Sequence, residues 1–215
     1  MRALRTPRSR PCFARVYTRL GRATDARGAS QHRSSLVNTL SGRVIEIGCG
    51  NGLAFPHYRA TADVVVAVEP ERYLLARASE AAAACGARIA LVAGVAEALP
   101  VRDHAFDNAV LSLVLCSVTD PHFVLREVFR VLRPGGELHF YEHVVSQRPT
   151  IAGLQKVADR AGWPVMSGGC HSARDTTAMI AAAGFQIERC DRFTFRPFTR
   201  SIVTAPHVLG RAQRV

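Results

Sequence analysis

Apolar residues gather along the chain in short, nearly continuous runs: RVIEIG (43–48), DVVVAVEP (63–70), RIALVAG (88–94), FDNAVLSLVL (106–115) and ELHFYEHV (137–144). Runs of this length bounded by glycine or proline predict strands buried on both faces. Between them the pattern changes to helical spacing. In 12–24, Phe13, Val16, Tyr17 and Leu20 share one face with arginines between them, a short amphipathic helix. Residues 53–58 begin a helix that Pro56 keeps short. ERYLLARASEAAAAC (71–85) reads as a helix closed by Gly86. In the stretch from Asp120 to Gly136, Asp120 caps the start, Pro121 suits the first turn, and Val124, Val128, Val131 and Leu132 line one face. Residues 151–166 set Ile151, Leu154, Val157, Ala158 and Ala161 at helical spacing, an apolar face suited to cover a lipophilic ligand. RDTTAMIAAAGF (174–185) is a helix closed by Gly184, and extended stretches follow near 185–195 and 201–209.

Strand and helix alternate throughout, which predicts an α/β fold with a mostly parallel sheet covered on both faces. In such sheets ligands bind at the C-terminal ends of the strands, beside the point where strand order reverses. The first strand breaks the pattern there. It carries a carboxylate, Glu46, inside the apolar run, and Gly48, Gly50 and Gly52 follow at every second position. Glycines in that setting let the chain turn tightly and let a ligand approach the backbone. Glu69 ends the second strand, where an acid accepts bonds from ribose hydroxyls.

Charge adds an arm to this picture. Residues 1–33 hold nine arginines against Asp25, and this segment supplies most of the net charge of +11. We therefore divide the chain into a basic arm with its short amphipathic helix (1–33) and an α/β domain (34–215), with the arm able to touch anionic lipid. No apolar run approaches the ~20 residues of a membrane span, and nothing resembles an export signal, so a cytoplasmic location is expected. The cysteines (12, 49, 85, 116, 170 and 190) show neither CxxC nor histidine pairing at metal spacing. They read as reduced thiols, and no metal is expected.

The ordered set VIEIGCGNG, VVAVEP, GVAEALP with FDNAV, LVLCSV and VLRPGGELHFYEHV resembles the class I S-adenosylmethionine-dependent methyltransferases, over residues from about 42 onward. Trp163 before GGCHSARDT, and PHVLG near the C-terminus, make it similar to the alkyl thiol methyltransferases and to the ubiquinone/menaquinone-type methyltransferases. The resemblance implies a Rossmann-like, seven-stranded fold with S-adenosylmethionine as cofactor. It implies that Glu46 orders the glycine loop of Gly48, Cys49, Gly50, Asn51 and Gly52, which passes beneath the cofactor. It further implies that Glu69 holds the ribose diol, with Pro70 shaping the adenine edge. Val95, Ala96 and Glu97 would border the adenine, Val95 standing where the pattern usually has an aspartate. Leu113 and Val114 would flank the transferring methyl.

The acceptor is then a small, lipophilic molecule, with sulfur ahead of phenol or quinone-type oxygen or carbon. His143, at the end of the fifth strand, is the first candidate base, and His171 the second. Tyr17 is a candidate to close over the cofactor, while Cys116 and Trp163 read as packing residues. Two other function classes stay open from the residues alone: a dinucleotide-dependent oxidoreductase, and a silent membrane- or nucleic-acid-binding module. Against the first stand the glycine spacing and the missing Tyr-x-x-x-Lys pair, since Lys156 is the only lysine and residue 152 is alanine. Nucleic acid is an unexpected partner, because LSLVLCSV stands where a base methyltransferase carries an Asn/Asp-Pro-Pro-aromatic stretch. Oligomeric state is not legible.

Overall fold

The computed structural model describes residues 11–199 and 201–215, with the side chains of Pro11 and Cys12 excepted. The first ten residues of the basic arm, and the side chain of Cys12, lie outside the described residues. Seven strands form one sheet in the order β3-β2-β1-β4-β5-β7-β6. They are β1 (Gly42–Ile47), β2 (Ala62–Glu69), β3 (Ile89–Ala93), β4 (Phe106–Ser112), β5 (Leu132–His143), β6 (Phe185–Thr194) and β7 (Pro206–Arg214). All pairings from β3 to β5 are parallel, and β7 runs antiparallel to both neighbours. The chain leaves β1 for β2 and β3 on one side and returns to pair β4 on the other. The strand order therefore reverses at β1, beside the glycine turn.

Alternation along the strands builds two cores. On one face Ile45, Ile47, Ala109, Leu111 and Phe140 pack beneath Val124, Leu125 and Val128 of α4 (Pro121–Val131) and Ile180 of α7 (Thr176–Ala182). On the other, Val44, Val110 and Tyr141 meet Leu36 and Val37 of α2 (Ser30–Val37), Phe55 and Tyr58. Asp120 caps α4 by accepting the His122 N–H at 2.9 Å, the role its position predicted.

Several elements differ from the sequence expectation. The segment after the glycine loop is short, as expected, but it is a 3-10 turn (Phe55–His57) with Pro56 in its first turn, not an α-helix. α3 (Arg72–Ala84) ends in an extended Cys85, and Gly86 does not take the left-handed turn expected of it. The last strand lies at 206–214, further along than the extended stretch expected near 201–209. α1 (Pro11–Thr24) continues through a wider turn into α2, with a bend at Gly28 (φ 115°). Its residues Ala14 and Thr18 are buried against the domain, as is Arg33 of α2, which is paired with Asp25.

The largest correction concerns α5 (Pro149–Arg160) and the short α6 (Trp163–Met166). The expected inward apolar face is turned outward in part: Leu154, Val157, Val165 and Met166 are exposed. α5 docks instead through a polar anchor. Gln155 is fully buried; its Oε1 accepts the Ser146 N–H at 2.8 Å, and its amide donates to the carbonyls of Val144, Ser172 and Val203. Apolar periodicity cannot find such a residue, since its contribution comes from satisfying four backbone groups. Gln155→Leu, similar in volume, should cost about 2–4 kcal/mol by leaving those groups unpaired, read as a lower urea midpoint.

Candidate active site

The C-terminal ends of β1, β2, β4 and β5 converge on the glycine turn. Gly48, Gly50 and Gly52 all take left-handed backbone (φ 69°, 59° and 77°), which side chains with a Cβ adopt only at a cost. Their hydrogens also make room: a methyl group at Gly48 would sit 2.8 Å from Val114, and one at Gly52 2.7 Å from the Phe55 ring. Glu69 ties this loop to the second strand. Its carboxylate accepts from Gly50 N–H and from Glu71 N–H, both at 2.9 Å. Burial raises Glu69 above the ordinary carboxylate range, against those two hydrogen bonds.

Glu46 explains the charge within the apolar run. It is buried on the α2 face and accepts a 2.9 Å bond from the Tyr58 hydroxyl. Burial pushes its carboxyl up to about 7, opposed by Tyr58 and the nearby Arg33.

Beyond β4 the backbone turns at Leu113, which takes φ 60°, unusual for a branched side chain. The turn is held by Glu142, fully buried at the end of β5. Its Oε1 accepts from Val114 N–H at 2.8 Å and Leu115 N–H at 2.9 Å, and its Oε2 from Cys116 N–H at 3.3 Å. Burial still drives Glu142 up to about 7. The loop after α6 lies directly on this turn. His171 N–H donates to the Cys116 carbonyl at 2.7 Å, and Gly169 (φ 105°) leaves no room for a side chain against the Ser117 carbonyl.

This packing brings Cys116, His143 and Cys170 together, with their ligating atoms within 4.8 Å of one another. Cys170 Sγ lies 3.3 Å from His143 Nδ1. The hydrogen bond from Cys116 pulls the Cys170 thiol down to about 5; burial opposes this, and the hydrogen bond and charge of His143 assist it. Burial works against a raised His143, but its contact with Cys170 and the charge of Glu142 prevail. From above, α1 covers the group: Phe13 packs on Gly168, and the Tyr17 ring lies over Gly50.

The methyltransferase domain family matches residues 45–140. Thiol S-methyltransferase TMT1B of Mus musculus is 35% identical over 173 residues, which span 79% of this chain and 69% of the relative. Ubiquinone/menaquinone biosynthesis C-methyltransferase UbiE of Dinoroseobacter shibae is 38% identical over 121 residues, 54% of this chain and 47% of the relative. The structure of an S-adenosylmethionine-dependent methyltransferase from Thermotoga maritima superposes with a TM-score of 0.70 at 22% identity, covering 94% of this chain and 97% of that one. The chain belongs to the class I S-adenosylmethionine-dependent methyltransferases. S-adenosylmethionine is accordingly its cofactor, and the oxidoreductase alternative falls away.

The methyltransferase has groups suited to that cofactor. Glu69 stands at the loop with an acceptor carboxylate, and Ser112 Oγ, at the end of β4, is buried without a hydrogen-bond partner among the described residues. Val95 and Ala98 form a small bridge after β3 that carries Ala96 and Glu97, and Gly94 N–H donates to the Glu69 carbonyl at 3.4 Å, so this turn adjoins β2. Pro70 is exposed at the strand end. Cys49 and Asn51 are buried in the glycine loop, and burial raises the Cys49 thiol strongly.

Of the two histidines proposed from sequence, the fold brings only His143 to the cluster. His171 is turned outward, 42% exposed and 4.0 Å from Asp159; its neighbour Cys170 takes the inward position. Cys116, read from sequence as packing, is part of the cluster. Sequence reasoning also passed over Glu142, Tyr58, Arg33 and Ser112. The acid in EHV was a signal in plain view for Glu142, whereas its three partners belong to a turn that no periodicity describes.

Glu46 and Glu142 both bind a proton more tightly in the folded chain than in the unfolded one. Their contribution to stability is therefore full below the ordinary carboxylate range and is lost as pH rises through about 7. Urea unfolding should show stability falling between pH 5 and 8, and Glu46→Gln should shrink that fall by roughly half. An identical fall in the variant refutes the assignment.

Proposed function

We propose that this methyltransferase methylates the sulfur of a small lipophilic thiol. The observation that carries this reading is the cluster of Cys116, His143 and Cys170 beside the turn that packs against the glycine loop. Within the cluster the Cys116 hydrogen bond and His143 favour the thiolate of Cys170 while Cys116 itself keeps its proton, and the same donors are available to an acceptor thiolate brought among them. The similarity to the thiol S-methyltransferases supports the same choice of acceptor.

When bound, the cofactor supplies a methyl group on a sulfonium, so the protein need not generate an electrophile. The chain's residues divide the remaining work. Glu69 and the glycine loop hold the nucleoside end, and Val114 sets the wall of the methyl end. Tyr17 and Phe13 keep water out from above. His143, poised between Cys170 and Glu142, receives the proton of the incoming thiol at Nδ1 or holds it as an imidazolium beside the new anion. A thiol ionises far more readily than a phenol, roughly 8.5 against 10, so this weakly basic site suits sulfur better than oxygen. Val16, Leu20, Val165 and Met166, exposed on α1 and α6, offer an apolar approach for a lipophilic acceptor.

A labelled-methyl assay over alkane thiols, phenols and quinols tests the reading. We expect thiols to be turned over at least roughly tenfold more efficiently than phenols of equal size. Equal or preferred labelling of a phenol overturns it. In the same preparation Glu69→Ala should weaken S-adenosylmethionine binding by about 1–3 kcal/mol in calorimetry, the cost of unpaired polar groups. Unchanged affinity removes Glu69 from the site.

A further inference from the structure

We infer that Cys116 Sγ, Cys170 Sγ and His143 Nδ1 form a three-ligand site for a zinc-like divalent cation, whose fourth position is open to the sulfur of the acceptor thiol. The three ligating atoms lie within 4.8 Å of one another and come from three separate segments of the fold. Tetrahedral zinc with sulfur at 2.3 Å and nitrogen near 2.0–2.1 Å places neighbouring ligands about 3.6 Å apart. The 3.3 Å separation of Cys170 Sγ and His143 Nδ1 is close to that edge. Two cysteines and one histidine with a free position make a ligand set used by catalytic rather than structural zinc.

The support around the ligands matches what a metal centre needs. Cys116 is held through its N–H to Glu142 and through its carbonyl, which accepts from His171 N–H. The Cys170 carbonyl accepts from the Ser167 hydroxyl at 3.2 Å, and the His143 carbonyl from the Thr176 hydroxyl at 3.1 Å. Ser117 Oγ lies 3.3 Å from Cys116 Sγ, a donor for a coordinated sulfur. The Trp163 indole N–H is buried without a close hydrogen-bond partner among the described residues; it belongs to the helix just before Cys170 and lies near enough to favour that thiolate. A donor so placed is suited to an anionic sulfur. The charges also close: two thiolates neutralise a divalent cation, and Arg174, which feels the charge of both Cys116 and Cys170, is a nearby cation for the single negative charge added by an acceptor thiolate. That guanidinium is anchored to the Leu115 and Val118 carbonyls, at 2.5 and 2.8 Å.

With the cation bound, His143 Nδ1 is a ligand and no longer takes the proton: the acceptor's sulfur, taking the fourth position, loses its S–H proton to solvent and gains a bond to the cation, and nothing is oxidised or reduced. The acceptor half of this inference rests on the thiol reading above, and the cation half does not. The spacing of the cysteines in sequence concealed the site, because 116, 143 and 170 meet only through the sheet and the loop after α6.

The test uses the full chain, reduced, stripped with chelator and titrated with Co²⁺. We expect one Co²⁺ per chain, with visible bands of a tetrahedral ion and thiolate-to-cobalt charge transfer in the near ultraviolet. Cys170→Ser and His143→Gln should each weaken binding on the order of 100-fold, at least what loss of a supporting partner costs, with circular dichroism confirming the fold. Cys190→Ser should bind as the parent does. Adding hexanethiol to the cobalt-loaded protein should increase the charge-transfer band to a saturating end point. Substoichiometric binding, binding without the charge-transfer band, or binding that survives both variants overturns the cation site. A spectrum unmoved by hexanethiol overturns the open position. Neither readout involves methyl transfer, so a failure of the thiol assay with these spectra intact would fall on the acceptor reading alone.

Discussion

Residues 114–116 have left the sheet yet remain buried, and their three consecutive N–H groups need acceptors. The Glu142 carboxylate supplies all of them, at 2.8, 2.9 and 3.3 Å. A buried charge is tolerable only when hydrogen bonds of this kind surround it. The turn they hold sets Val114 against Gly48, Cys116 against Cys170, and Arg174 against the turn's own carbonyls. One side chain on β5 thus fixes the turn between the glycine loop and the Cys116–Cys170 contact, and its next neighbour in sequence, His143, lies against Cys170.

Three buried carboxylates, Glu46, Glu69 and Glu142, repeat one device on β1, β2 and β5 of the sheet. Each sits near a strand's C-terminal end, and each fastens a different segment that the sheet cannot hold by pairing. Glu46 fastens Tyr58 and the segment after the glycine loop; Glu69 fastens the loop itself; Glu142 fastens the turn after β4. The cost of burying them appears as raised proton affinity. The site is built from irregular backbone made rigid by acids on regular backbone.

This division also explains what could be read in advance. The strands from β1 to β5, the helix after Asp120 and the glycine turn were legible because apolar continuity, capping and glycine placement are local signals. The family resemblance then pointed to Glu69 and the loop at 48–52. Less legible were features set by partners distant in sequence. Gln155 holds α5 through backbone groups, so the expected lid face came out turned partly outward. Cys170 and His171 are adjacent, and contacts of their loop with Cys116, Ser117 and Asp159 accompany the inward turn of Cys170. No pattern within one segment encodes a contact between residues more than fifty apart.

The insertion of β7 between β5 and β6 has a consequence for how the molecule assembles. β6 is made first but has no partner in the sheet until β7 arrives to pair it on one side and β5 on the other. Until then β5 presents an open edge, along the strand that bears Glu142 and His143, and loop closure must precede any gain from pairing. Completion of the sheet around Glu142 and His143 is therefore deferred to a late, long-range step of folding. A nascent chain halted before that step would carry the glycine loop and its Glu69 clasp beside a β5 still lacking one of its partners.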